Sequence, residues 1–289
     1  MQVREVQRDF LRNVIGEDWV DTSRRPYVDG SRAYVPVKPG FSVDGTLPPR
    51  RPYRGRGYLM IGDIAVIHGR QPTRTEVEEI QAWRNPRGII WMRSSTGRMR
   101  IPDGEVLTGS AGETCHREQG ITYYLDPLRV MFAQGNREEK VRMQCLTTPG
   151  ERVADMFAGI GYFSIPIAMR GASVHAMEIN PVACPYLEQN IRVNGVKSRV
   201  SVSCGDCRAL LTGLYDRVVM GHFDAPGYLS IALSHVQPGS ILHVHSVGTR
   251  PPEIQGTIED AGLRAAVQPR KVKKYRPGSW HWVQDVTCR

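Results

Sequence analysis

The segment Arg152-Val-Ala-Asp-Met-Phe-Ala-Gly-Ile-Gly161 decides how the rest of the chain is read. Val153 and Ala154 predict a short buried strand, Asp155 an acid at its end, and Gly159 and Gly161 a tight turn into a helix over 162–170. Glycine suits that turn because, without a Cβ, the backbone can take left-handed angles and come close to a ligand. The following helix points its unpaired N–H groups and the positive end of its dipole into the same space. A second apolar strand, Ser173-Val-His-Ala-Met177, leads to Glu178. An acid in that place is positioned to accept hydrogen bonds from the two hydroxyls of a ribose. Strand, glycine turn, helix, strand and acid make up half of a nucleoside-binding α/β unit.

The dinucleotide fingerprint asks for a third glycine where this chain has Ser164, which disfavours NAD. Asp155 would repel a pyrophosphate and suits a cationic ammonium group. A ligand with an adenosine ribose, a charged amino acid and no phosphate is S-adenosylmethionine. A strand-turn-helix that holds no ligand is the alternative.

At 289 residues, 40% of them hydrophobic, the chain suits one large or two modest domains with ample core. No apolar run approaches the ~20 residues of a membrane span. The first residues, Met1-Gln-Val-Arg-Glu-Val6, lack the apolar core of a signal peptide. A cytoplasmic protein without membrane attachment is therefore expected. The six cysteines are scattered and are expected as reduced thiols. Cys204 and Cys207 have the spacing of a zinc knuckle or redox pair, but there is no second pair and Asp206 lies between them, so no metal is expected. The net charge of +9 is uneven: residues 1–100 carry 18 basic against 11 acidic residues, 101–260 carry 13 against 17, and 261–289 carry 7 against 1. Two basic flanks around a mildly acidic middle suit a polyanion held beside a nucleoside pocket.

Residues 1–56 read as a basic, irregular segment with a short helix over Gln2–Ile15. Arg24, Arg25, Arg32, Arg50, Arg51, Arg54 and Arg56 are interleaved there with Tyr27, Tyr34, Tyr53 and prolines, a mixture that suits phosphate contact and base stacking or simply a loose basic arm. Residues 57–129 predict a small α+β domain. Its elements are an apolar strand around Tyr58–Ile67 with a turn or bulge, a helix from Thr73 to Trp83 with a capping box (Thr73, Glu76), and strands at Gly88–Arg93, Glu105–Leu107 and Gly120–Leu125. From 130 onward, after a strand-like Val130–Phe132 and a helix starting at Glu138, strands and helices alternate to a C-terminal hairpin. That alternation predicts an α/β fold with a doubly wound, Rossmann-like sheet that binds S-adenosylmethionine. Ligands of such sheets lie beyond the C-terminal strand ends, where Asp155, Glu178, Asp206 and Met220-Gly221 all fall.

With Asp155-Met-Phe-Ala-Gly-Ile-Gly161 stand Glu178-Ile-Asn-Pro181, Asn190-Ile-Arg-Val-Asn194, Gly205-Asp206, and Met131-Phe-Ala-Gln-Gly-Asn136 followed by Arg142. Together they resemble two related tRNA enzyme families. One is the tRNA (guanine-37-N1) methyltransferases; the other is the tRNA wybutosine-synthesising protein 2 aminocarboxypropyltransferases. The resemblance covers roughly residues 57–289. The methyltransferases carry Asn-Leu/Pro-Pro after the fourth strand, whereas this chain has Gly221-His222-Phe223 after Met220. That difference, with His243-Val-His245, resembles the aminocarboxypropyl branch.

The resemblance implies transfer of the 3-amino-3-carboxypropyl group of S-adenosylmethionine to a carbon of a tricyclic guanine-derived base at position 37 of tRNA(Phe). Methyl transfer to guanine, or tRNA binding without turnover, are the alternatives. It further implies that Glu178 holds the ribose, Asp206 and Cys207 the adenine, and Ala133 and Lys140 the methionine portion. Asp155, Phe157, Gly159, Gly161 and Ile179 complete the donor's surroundings. Arg142, Gly221, His222, Lys273 and Lys274 are expected on the tRNA side. Catalysis would be mostly positioning, with His243, His245 and Asp155 as candidates and no nucleophile from the protein.

Overall fold

The computed structural model describes residues 1–47 and 53–289; Arg50, Arg51 and Pro52 lie outside the described residues, as does the side chain of Gln134. Two compact units are present, Met1–Arg54 and Gly55–Arg289. The first is not irregular. Its strands β1 (Gln2–Gln7), β2 (Tyr27–Asp29), β3 (Arg32–Pro36) and β4 (Gly45–Thr46) form one sheet in the order β2-β3-β1-β4, with one turn of helix, α1 (Leu11–Val14). The helix expected from Gln2 is therefore a strand up to Gln7, held by antiparallel pairing with β3 from Val3↔Pro36 to Gln7↔Arg32. Val3, Ala33 and Val35 form its buried face.

The second unit begins with the sheet β5 (Leu59–Ile61), β6 (Ile64–His68), β7 (Gly88–Thr96) and β8 (Ile101–Gly109), in that order, with α2 (Arg74–Arg84) between β6 and β7. The Thr73–Glu76 capping box is formed in both directions and starts α2. A hairpin follows, β9 (Thr114–Glu118) with β10 (Ile121–Leu125). Val130–Phe132, read as strand-like, is irregular and leads to a 3-10 turn (Gln134–Asn136) and α3 (Arg137–Leu146).

The large sheet then alternates β11 (Arg152–Asp155), α4 (Ser164–Met169), β12 (Ser173–Glu178), α5 (Ala183–Val193), β13 (Val200–Cys204), α6 (Cys207–Leu210), β14 (Arg217–Met220), α7 (Leu229–Leu233), β15 (Ile241–Val247), α8 (Pro251–Asp260), β16 (Ala265–Arg276) and β17 (Ser279–Cys288). Its order is β13-β12-β11-β14-β15-β17-β16, with β13 to β15 parallel and the last two strands antiparallel. The order reverses between β11 and β14, which opens the switch-point crevice at their C-terminal ends.

Both faces of the sheet are covered. Val153 and Val219 belong to one buried cluster, while Ala154, Val218 and Met220, one residue out of phase, belong to the other. The first cluster also takes in Ile61, Val66, Ile90 and Met92, so residues 57–129 share a core with the large sheet. Two asparagines fasten that joint. Asn190 Oδ1 accepts from Tyr124 N (2.7 Å) and Asn194 Oδ1 from Thr122 N (2.9 Å), while their amide nitrogens donate to Tyr124 O and Thr122 O. Asn190 on α5 and Asn194 at its C-terminal cap satisfy the backbone at the free edge of β10. The expectation of six reduced thiols is corrected at one pair. Cys184, at the start of α5, and Cys204, at the end of β13, have Cα atoms 6.2 Å apart and are joined by a disulfide. Among the described residues no helix is long and apolar enough to cross a membrane.

Candidate active site

The turn after β11 is built as its glycines require. Gly159 and Gly161 have φ of +57° and +103°, and a Cβ on Gly161 would stand 2.5 Å from Ile165 Cδ1. Gly159 N and Asn180 N each donate to one oxygen of Glu178 at 2.7 Å, so the carboxylate is fixed at the end of β12 by the turn itself. Its burial raises the Glu178 pKa, against the lowering effect of those amides. Asp155 is fully buried; it accepts from the Ser164 hydroxyl (2.7 Å) and Phe157 N (3.4 Å), and burial raises its pKa to about 6. The Asp155 carboxylate therefore braces the turn from inside and is not on a cavity wall, contrary to the expected ammonium contact.

Beyond β14 opens a cavity of about 580 Å³, walled by the β5–β8 sheet on one side and the strand ends of the large sheet on the other. Ile61, Val66 and Met92 give it an apolar wall; Ala133, Gly221, His222, Phe223, Lys273, Lys274 and His281 line it from the large sheet and its connecting segment. Gly221 is required here: a Cβ would stand 2.8 Å from the ring of Phe163. Phe223 meets Tyr275 (4.8 Å) and His281 (5.0 Å) edge-on, with the Arg100 guanidinium 5.5 Å from its ring centre. Among the described residues the lining carries Arg100, Lys273 and Lys274 but no carboxylate. Lys273 has no ion-pair partner among them, and burial lowers its pKa, with Lys140 and Arg100 adding to the effect. Its Nζ is only 2.6 Å from where a Cβ on Gly135 would be.

A narrow space of about 20 Å³ adjoins the cavity, lined by Phe157, Ile179, Asp206, Cys207, Tyr228 and also His222, which stacks on Phe157 at 5.4 Å. This is where the resemblance places the adenine, and it is partly closed by a residue that sequence reading did not single out. Arg98, in the turn between β7 and β8, donates to Asp206 Oδ2 and to the Tyr228 hydroxyl, both at 3.0 Å. Asp206 also caps α6 and pairs with Arg208. Arg98 thus competes with any ligand for Asp206. Arg98→Ala is expected to tighten donor binding up to about fivefold, the scale of an exposed ion pair; titration calorimetry checks it, and weaker binding would make Arg98 a ligand contact instead.

Four expected site residues are committed elsewhere. Lys140 is 2% exposed and ion-paired to Glu118 at 2.5 Å, inside a cage of Tyr123, Phe132 and Tyr162 with ring centres 5.3–5.4 Å from its Nζ. Its charge is already matched and does not face the cavity. Arg142 is held by Glu139 (2.6 Å) and Asp285 (2.7 Å) rather than presented to substrate. His243 is fully buried between Arg217, which donates to Nε2 at 2.7 Å, and Asp285 at 2.6 Å from Nδ1, which fixes the proton on Nδ1. His245 lies one layer behind the cavity, its Nδ1 2.8 Å from Nε2 of His281. His281, flanked by Trp280 and Trp282, lines the cavity; register with Lys273 across β16 and β17 puts it there, a pairing that sequence alone does not reveal.

A switch-point crevice, a glycine turn fixing a strand-end acid and a large cavity beside it define a Rossmann-like, nucleoside-dependent transferase. The model of the TRM5/TYW2 methyltransferase domain matches residues 114–268, and the chain belongs to that family. It is 32% identical over 244 residues to the tRNA(Phe) (4-demethylwyosine(37)-C(7)) aminocarboxypropyltransferase of Methanocaldococcus jannaschii, covering 80% of this chain and 98% of the relative. The enzyme of the same name from Pyrococcus horikoshii is 34% identical over 79% of this chain and 88% of its own. Among solved structures, P. horikoshii TYW2 in complex with MeSAdo superposes with a TM-score of 0.71 and 31% identity, covering 81% of this chain and 91% of that one. Trm5b from Pyrococcus abyssi gives 0.74 and 26%, covering 100% and 99%.

Proposed function

We infer that this chain is an S-adenosylmethionine-dependent tRNA aminocarboxypropyltransferase. It moves the 3-amino-3-carboxypropyl group of the donor to C7 of 4-demethylwyosine at position 37 of tRNA(Phe) and releases methylthioadenosine. The sulfonium offers three electrophilic carbons: the methyl, the ribose C5′ and the methionine Cγ. Selection among them rests on which is held in line with the nucleophile. Gly221 is the observation that carries the assignment. At the end of β14 it presents no side-chain amide to a guanine edge, and the Phe163 ring fills the space a side chain would need. The cavity beside it combines apolar surface from Ile61, Val66 and Met92 with the cations Arg100, Lys273 and Lys274. That combination suits a planar, neutral tricycle together with the anionic groups that accompany it, the donor carboxylate and the tRNA backbone.

In this arrangement Glu178 binds the ribose, Phe157, Ile179, Asp206 and Cys207 enclose the adenine, and Ala133 lies toward the methionine portion. Lys273, with no counter-charge among the described residues, takes over the carboxylate contact expected of Lys140. Lys274 and Arg100 face the tRNA backbone, and Phe223 and Tyr275 offer faces for stacking. Arg142, His243 and Asp155 support the site from within. Two donors decide the assignment, one labelled in the carboxyl group and one in the methyl group, each incubated with tRNA(Phe) carrying 4-demethylwyosine. Carboxyl label in the tRNA is the expected result; methyl label alone would make the chain a methyltransferase.

A further inference from the structure

We propose that His281 is the catalytic base of this reaction, accepting the proton that C7 must lose. The proposal rests on the aminocarboxypropyl assignment above. Alkylation at an aromatic carbon is a two-part event. A π pair of the tricycle bonds C7 to the donor Cγ while the Cγ–S pair leaves with sulfur, giving neutral methylthioadenosine and a cationic ring. The C7–H bond then breaks, its electron pair restores the aromatic ring, and the proton needs an acceptor.

The cavity restricts what that acceptor is. Its described lining has no carboxylate, and its neutral bases are His68, His222 and His281. His222 is excluded by its hydrogen bond: Asp224 N donates to its Nδ1 at 3.1 Å, so the neutral ring carries its proton on Nε2 and can only donate there. His68 ends β6 on the exposed rim. His281 is 1% exposed, and its Nδ1 has no hydrogen-bond partner among the described residues.

The His245–His281 hydrogen bond contains one proton between two neutral rings. If His281 donates it from Nε2, the His281 Nδ1 keeps a free lone pair; if His245 donates it, the His281 Nδ1 bears the hydrogen instead. The Lys273 ammonium favours the first arrangement, because a positive charge attracts a lone pair and repels an N–H. Burial and then the Lys273 charge hold the His281 pKa down to about 4. A base this weak suffices for a cationic ring that regains aromaticity on losing its proton. A donor carboxylate against Lys273 would also offset the charge that weakens the base. Proton transfer then leaves an imidazolium, backed by His245, that returns its proton to water after product release.

The test is single-turnover transfer from carboxyl-labelled donor to tRNA bearing hydrogen or deuterium at C7. His281→Ala and His281→Gln are expected to slow transfer by about 10²–10⁴-fold, the usual contribution of a general base. Donor affinity should stay within about threefold of wild type in both variants, which shows that they fold. A deuterium effect absent from wild type should appear in both, and added imidazole should speed His281→Ala alone. Transfer within threefold of wild type, or a loss with neither an isotope effect nor rescue, would overturn the proposal. If wild type moves only methyl label, the functional assignment fails first, and the two failures are told apart.

Discussion

Glu178→Ala is expected to raise the dissociation constant for S-adenosylmethionine by roughly 10- to 150-fold, the scale of ~1.5–3 kcal/mol for hydrogen bonds to a charged group. The carboxylate is 8% exposed and already accepts from Gly159 N and Asn180 N, one amide on each oxygen. Both oxygens are thus held by the backbone at the end of β12, where the ribose contact is proposed. The substitution therefore has two consequences that a pair of measurements separates. Loss of the acceptor for two backbone amides lowers the melting temperature with no donor present. Loss of the ribose contact lowers the further stabilisation that the donor produces by mass action. Glu178→Gln keeps an oxygen for one amide and one hydroxyl and should fall between. If the alanine variant melts lower yet binds the donor with unchanged affinity in calorimetry, Glu178 serves only the glycine turn and the ribose lies elsewhere.

The large sheet was readable because its strands are buried on both faces and show as short apolar runs, Val153-Ala154 or Val218-Val219-Met220, each ending at an acid or a glycine. The N-terminal sheet was not. Gln2–Gln7 has one buried residue, Val3, and owes its extended form to a partner about thirty positions away, which local pattern cannot disclose. The β9 strand was missed for a related reason: it alternates, but its inward residues are Thr114, His116 and Glu118, so the buried face is polar. The same strand explains the misplacement of Lys140. A basic residue near the donor looks available in sequence, and only the fold shows Glu118 waiting for it. Conversely, Lys273 and His281 stood in a stretch that read as a basic hairpin, and the pairing of β16 with β17 turns both toward the cavity.

Glu118→Gln is expected to destabilise the larger unit by ~3–5 kcal/mol, the cost of leaving one charge of a buried pair without its partner. Lys140 and Glu118 have side chains 2% and 3% exposed, with Nζ and Oε1 at 2.5 Å, and Arg137 reaches the other carboxylate oxygen at 3.0 Å. The three aromatic rings around Lys140 soften the loss without replacing a full counter-charge. At about 2–4 °C per kcal/mol for a unit of this size, the melting temperature should drop by roughly 6–20 °C. Adding Lys140→Met should recover much of that loss, since the orphaned charge goes with it.

The pH dependence of the pair has a definite sign. Burial alone would push the Glu118 pKa up, but the adjacent His116, the Lys140 ammonium and the hydrogen bond from Arg137 outweigh it and hold the group at about 2, against 4.5 when free. An acid whose pKa is lowered by folding contributes stability that is complete above pH 4.5 and is lost as pH falls toward 2. The gap in denaturant midpoint between wild type and Glu118→Gln should accordingly be widest above pH 5 and narrow through pH 3. A gap that stays constant across that range would show that the loss comes from packing around β9 and not from the Glu118 charge that pairs with Lys140.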